Sequence, residues 1–402
     1  ATALACAPAP PARPAPPLSP TPTPTQTPAP DDERFAAVVA YLRSQVDSAY
    51  PGAVLAVGER GRLVLLTAVG HYGIDDRRPV GPETVYDLAS LTKVIGLTTA
   101  CMLLVDQGKL DLAAPVQRYV PAFRGAGKDR VTIRHLLTHS SGLPPWRPLY
   151  TEATTRTAAF TLVDTTPLAA DPGTQAVYSD LGAILLTQVV ETITGERIDR
   201  FLDRHVFGPL AMTSTRFLPP PGWHERIAPT ERSQDGTIIR GTVHDENAWK
   251  LGGVSGHAGL FSTAPDLARF GFWLLDSYEG RRRAAEGGEA APTTPAAALR
   301  RLSPPLVREF TRRQELPPGS SRALGWDTPS GLSSAGTKLG PRAFGHTGFT
   351  GTSIWFDPDR SLVIILLTNR VHPTRENGRI AQVRRQVADL VVDAFTREAS
   401  PP

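Results

Sequence analysis

The chain has 402 residues, 41% hydrophobic and 20% charged, with 43 Lys+Arg against 39 Asp+Glu for a formal net charge of +4. These values are ordinary for a globular protein with a sizeable core, in one large domain or two modest ones. They exclude nucleic-acid binding as a main task, because the basic excess is small and unpatterned. No stretch approaches the roughly 20 apolar residues that a membrane-spanning helix needs.

In chain order, Ala3-Leu4-Ala5 ahead of Cys6 resembles a signal-peptide cleavage site, and the first residue is not Met, so an upstream leader is expected. Cleavage before Cys6 implies either a lipid-modified cysteine or simple secretion, and both place the protein outside the cytoplasm. Residues 7–30 are nearly all Pro, Ala and Thr, which favours an extended tether of about 70 Å at about 3.1 Å per residue. The folded part is expected over 31–402. Phe35, Val38, Val39, Leu42 and Val46 predict an amphipathic helix over roughly 31–49. Ala53–Val57 and Leu63–Leu66 predict two strands around the turn Gly58-Glu59-Arg60-Gly61. A mostly helical region follows from about 90 to 315, with Cys101 as a buried packing residue. Residues 276–300 read as a mobile insertion, and Arg281-Arg282-Arg283 within it as solvated surface. Ser353–Phe356 and Leu362–Leu367 predict a hairpin around Asp357-Pro358-Asp359-Arg360, and roughly 376–397 a closing helix. The order implies an α+β fold: one antiparallel sheet from about 31–88 and 320–400, flanked by the terminal helices, with a helical region (about 89–319) inserted.

Three short motifs carry chemistry. In Ser90-Leu91-Thr92-Lys93 the serine falls at or near a helix start, and the i, i+3 spacing lets Ser90 and Lys93 touch. A serine hydroxyl needs a group to take its proton, and a helix N-terminus offers N–H donors to an oxyanion. Tyr178-Ser179-Asp180 precedes the helical run Leu181, Ile184, Leu185, Val189, Ile193, ended by Gly195. Tyr178 suits proton shuttling, and Asp180 is a good N-cap for that helix. His346-Thr347-Gly348 enters the C-terminal hairpin. Gly348 would admit a close substrate backbone, and the Phe349 N–H would complete an oxyanion hole with that of Ser90. His135 and His139, four apart, have zinc-like spacing, but no Glu follows His135 and no third ligand is evident, so packing or helix-end hydrogen bonding is expected. Gly252, Gly253, Gly256 and Gly259 fit no phosphate-binding pattern and predict a tight loop near the site. Thr263 and Pro265 mark a helix start.

The three motifs together resemble those of the penicillin-recognising serine hydrolases: serine β-lactamases, D-alanyl-D-alanine carboxypeptidases and related esterases. The tyrosine motif resembles the class C branch, as do His135–Pro144 and Gly256–Thr263; the likeness runs from about 35 to 398. It implies a β-lactamase/transpeptidase-like fold and an acyl-enzyme on Ser90. Lys93 and Tyr178 would move its proton to the leaving group, Ser90 and Phe349 N–H groups would hold the oxyanion, and His346 and Thr347 would line the opposite wall. Two departures stand out. Asp180 replaces the usual Asn, and would pair with Lys93 and raise its pKa. His346 replaces the usual Lys, and is mostly neutral at pH 7. Both weigh against efficient β-lactamase action. The expected substrates are cell-wall peptides ending in D-amino acids, with small esters or weak, slow penicillin acylation as the alternatives. No cofactor or metal is implied. A non-catalytic wall-peptide-binding protein is the rival reading.

Overall fold

The computed structural model describes residues 32–281 and 301–396. The expectations for Cys6, the 7–30 tether and most of the 276–300 insertion lie outside the described residues. The strands run, in chain order, β1 (Gly52–Glu59), β2 (Arg62–Gly70), β3 (Tyr86–Asp87), β4 (Arg216–Phe217), β5 (Leu260–Ser262), β6 (Phe344–Thr347), β7 (Ser353–Asp357) and β8 (Leu362–Thr368).

The main sheet has the order β2-β1-β8-β7-β6, and each of its pairs is antiparallel. Both ends of the chain build it, as the element order implied. The β1–β2 connection places Arg60 and Gly61 at φ 48° and 81°, the left-handed pair that a tight hairpin with right-twisted strands requires. Alternate residues of β1 face opposite ways. Leu55 and Val57 join Ile364, Leu366, Phe35, Leu42, Val383 and Val387 under the terminal helices Ala36–Ser44 and Ile380–Thr396. Val54 and Ala56 join Val363, Ile365, Phe270 and Leu274 on the other face, with the helix Ala264–Glu279. Burial on both faces is why Leu362–Leu367 reads as an unbroken apolar run rather than an alternating one. Each such side chain contributes about 1.5–3 kcal/mol.

Several predicted boundaries shift for local reasons. The closing helix begins at Ile380 rather than 376, because the Asn377 side chain donates to Ser48 O at 3.0 Å and accepts the Arg379 N–H at 3.1 Å. The first helix is Ala36–Ser44, preceded by a 3₁₀ turn that the Asp32 carboxylate caps through the Arg34 N–H at 3.1 Å. The helical region contains a small sheet, β3-β5-β4, that the sequence did not announce. Strands of two and three residues are too short for a period-2 signal. The apolar run Ala89–Asp106 has the length and mean hydropathy (1.4) of a membrane span, but 83% of it is buried, so it is a core helix. Cys101 lies within it, fully buried as expected, and burial pushes its thiol up. Thr263 caps Ala264–Glu279, with Pro265 in the first turn.

Candidate active site

The turn that carries Ser90 is locked from several directions. The Asp87 carboxylate accepts the Ala89 N–H at 2.8 Å and the His244 N–H at 2.7 Å. Burial raises the Asp87 pKa against these hydrogen bonds. Ala89 has φ 47°, an uncommon backbone for a residue with a side chain, directly before Ser90. Ser90 lies in the 3₁₀ turn Ala89–Leu91, followed by a π-helical segment Lys93–Thr98 and the α-helix Thr99–Asp106. The wide π turn is a local irregularity of the kind that often marks functional positions.

The loop after β6 closes on this turn. Thr350 Oγ1 donates to Asp87 O at 2.7 Å and Thr352 Oγ1 to Leu88 O at 2.9 Å. A Cβ on Gly348 would sit 2.3 Å from Leu88 O and 2.2 Å from Thr352 Oγ1. The protein's own backbone crossing at Leu88 is thus a sufficient reason for glycine at 348, one that the sequence did not show. Gly348 O accepts from Arg384 Nη2 at 2.6 Å and from the Gly351 N–H at 3.1 Å. Because the peptide group is planar, these bonds also fix the Phe349 N–H, which none of the described residues accepts.

Lys93 is 3% exposed. Its Nζ lies 3.0 Å from Ser90 Oγ, 3.0 Å from His257 O and 2.7 Å from Asp180 Oδ1, and 4.9 Å from the centre of the Tyr178 ring. Burial alone would lower its pKa, but Asp180 and Tyr178 outweigh it and hold Lys93 above the ordinary lysine value, an ammonium at neutral pH. Asp180 is thus the first residue of the helix Asp180–Thr194 and not its cap. Ser179 is the N-cap, accepting the Gly182 N–H at 3.1 Å, which frees the Asp180 carboxylate for Lys93. The His257 carbonyl is held in place by its ring, which bridges Ser255 Oγ at 2.7 Å and Asp245 Oδ1 at 2.9 Å. The glycine-rich loop around it is the tight loop expected: a Cβ on Gly256 would lie 2.5 Å from Thr187 Oγ1.

Tyr178 stands between two imidazoles, His139 at 4.5 Å and His346 at 5.9 Å between ring centres, with the Arg322 guanidinium 5.2 Å from its own. Its hydroxyl is buried without a hydrogen-bond partner among the described residues. His346 pairs Nδ1 with Thr347 O at 2.8 Å, so Nδ1 carries the proton and the buried Nε2 presents a lone pair. Burial, then Arg322 and Lys93, lower its pKa to about 3, so it is neutral at pH 7. His139 accepts the Ser179 N–H at 3.1 Å, and burial likewise keeps it neutral. His135 completes a capping box with Thr132, and no metal-binding cluster occurs among the described residues.

A cavity of about 340 Å³ brings Ser90, Tyr178, His346, Thr347, Gly348 and Phe349 together, with Arg322, Arg370 and Arg384 in its wall. Among the described residues none of these arginines forms an ion pair with a carboxylate; Asp327 also lines the cavity, its carboxylate held by Ser321 Oγ and the Thr328 N–H. Arg370 is turned to the carbonyls of Phe349, Arg375 and Asn377. Sequence reasoning missed His139, the three arginines and the His257 carbonyl as part of this site, although His139 and His257 lie in stretches it singled out.

A five-stranded sheet flanked by terminal helices, with a serine and a buried lysine at the entrance to the inserted helical region, defines the class: an α+β serine hydrolase. Comparison with known proteins gives the family. The family model described as Beta-lactamase matches residues 32–389. A Salmonella schwarzengrund protein (strain CVM19633) named "Putative D-alanyl-D-alanine carboxypeptidase" is 31% identical over 394 residues, covering 87% of this chain and 86% of that protein. Among solved structures, a penicillin-binding protein homologue from Caulobacter crescentus aligns with a TM-score of 0.69 at 21% identity, over 90% of this chain and 97% of that one. A class C beta-lactamase from Rhodobacter sphaeroides aligns with a TM-score of 0.65 at 21% identity, over 92% and 100%. The chain belongs to the beta-lactamase family of penicillin-recognising serine hydrolases.

Proposed function

We propose that the protein removes the terminal D-alanine from cell-wall stem peptides through an acyl-enzyme on Ser90. Ser90 Oγ attacks the carbonyl before the last residue, and its O–H bond breaks as the Oγ–C bond forms, the proton being taken up through Lys93. The N–H groups of Ser90 and Phe349 receive the oxyanion. The C–N bond then breaks, the leaving D-alanine takes a proton delivered by Lys93 and Tyr178, and water hydrolyses the ester. The observation that carries this reading is Ser90, its Oγ 3.0 Å from the buried Lys93 ammonium, opening onto a cavity whose wall holds three arginines without an ion-paired carboxylate among the described residues. Such a wall suits a substrate that ends in a carboxylate. The name of the Salmonella relative supports the same substrate class. A cell-wall substrate implies action outside the cytoplasm, which either a lipid on Cys6 or simple secretion would provide.

Release of D-alanine from a peptide ending in D-Ala-D-Ala tests the reading. The wild type is expected to release it, and Ser90→Ala to lose at least on the order of 10³-fold in kcat. Ser90-dependent hydrolysis of nitrophenyl acetate with no release of D-alanine would replace the peptidase by an esterase. Binding of the peptide with turnover of neither substrate would make the protein a wall-peptide binder.

A further inference from the structure

Lys93 faces three acceptors, and the one opposite Ser90 is a carboxylate. An ammonium with Ser90 Oγ, His257 O and Asp180 Oδ1 within 3.0 Å, 3.0 Å and 2.7 Å has no free lone pair to take a proton from serine. The usual remedy, a lysine neutralised by burial, is blocked here by the ion pair.

We propose that Asp180 is the proton acceptor behind Lys93: as Ser90 Oγ attacks, Lys93 takes the serine proton and passes one of its own to Asp180. One Nζ–H bond breaks as the Asp180 O–H bond forms, which leaves a lone pair on Nζ; the Oγ–H bond then breaks as a new Nζ–H bond forms, and Lys93 ends the step as an ammonium. Asp180 meets Lys93 off the hydrogen-bond axis, so the transfer needs a modest rotation of its carboxylate. The Ser179 cap holds that carboxylate in the first turn of its helix while the side chain stays only 20% exposed. Tyr178, its ring centre 4.9 Å from Lys93 Nζ, faces the pair as well and is the group that passes a proton on to the leaving group; the remaining groups do not compete for the serine proton. His139 and His346 are neutral and strongly disfavour a charge, Arg322 is a cation, and Asp245 is engaged by His257. Asp180 touches no substrate atom in this scheme; it takes its proton from Lys93 and acts on Ser90 only through that lysine. The inference rests on the Ser90 acyl-enzyme reading but not on the identity of the peptide.

The test is the pH profile of kcat/KM for nitrophenyl acetate in the wild type, Asp180→Asn, Asp180→Glu and Ser90→Ala, with circular dichroism to establish folding. Asp180→Asn is expected to lose on the order of 10²- to 10⁴-fold at pH 7. Its rate is then expected to climb with pH as the unpaired Lys93 loses its proton, while the wild-type rate stays flat over the same range. Asp180→Glu is expected to restore a flat profile. A folded Asp180→Asn variant with wild-type activity, or with a uniform loss and an unchanged profile, overturns the role of Asp180 alone. Wild-type turnover that survives in Ser90→Ala overturns the site reading as well.

Discussion

At the scale of single residues, the site departs from the resembling motifs in charge and keeps its cations in other places. His346 stands where a lysine is usual, and it is neutral, with its only protonated nitrogen spent on Thr347 O. Positive charge comes instead from Arg322, whose side chain makes no hydrogen bond among the described residues and lies over Tyr178. Arg322 and Asp327 are partners in an isolated antiparallel bridge, yet Asp327 turns away to Ser321 Oγ at 2.7 Å and the Thr328 N–H at 3.0 Å. On the proposed reading the guanidinium would meet the substrate carboxylate. Arg322→Gln is therefore expected to raise KM for a peptide with a free C-terminal carboxylate on the order of 10- to 100-fold, with a much smaller effect on neutral nitrophenyl acetate. Steady-state kinetics on the two substrates separate these effects.

At the scale of elements, the site depends on a loop pressed against a turn. The β6–β7 connection and the Asp87–Leu91 turn share two threonine hydrogen bonds and the close crossing at Gly348. The clash that Gly348→Ala introduces is with the backbone carbonyl of Leu88, which cannot swing aside as a flexible side chain would. The substitution is expected to cost about 1–3 kcal/mol in stability. By moving the Phe349 N–H relative to Ser90 it is also expected to lower kcat on the order of 10²-fold. Denaturant unfolding and nitrophenyl acetate kinetics on the same preparation test both. The motif was legible in the sequence, but the reason for its glycine was not, because Leu88 lies 260 positions away in the chain and only the fold brings it there.

At the scale of the whole molecule, an ion network ties distant segments around the site. Glu231 pairs with His244 at 3.0 Å and with Arg375, which also reaches Glu246 at 2.8 Å; His244 in turn stacks on Phe349 at 5.7 Å. Burial would raise the Glu231 pKa, but the Arg375 and His244 hydrogen bonds overcome it and lower it to about 2. A carboxylate depressed in the folded state contributes its stability in full above its unfolded value near 4.5, and loses it as pH falls toward about 2. Glu231→Gln is thus expected to lower Tm by a few degrees at pH 7, with the gap to wild type narrowing below about pH 4.5. Thermal melts across that range check the sign.

The sequence by itself determined the sheet and its flanking helices, because a strand buried on both faces and an amphipathic helix are written in the local order of apolar residues. It also determined the pairing of Ser90 with Lys93, since residues three apart lie on one helix face and can meet. Tertiary structure decided between the two roles open to Asp180, helix cap and partner of Lys93, because Ser179 takes the cap. It alone decided that Arg322 lies over Tyr178 with no side-chain hydrogen bond among the described residues, and that the His257 carbonyl completes the lysine's shell. Those contacts join residues far apart in the chain, where no periodicity or spacing can record them. They set the charge of the site, and charge decides which groups can take the proton of Ser90.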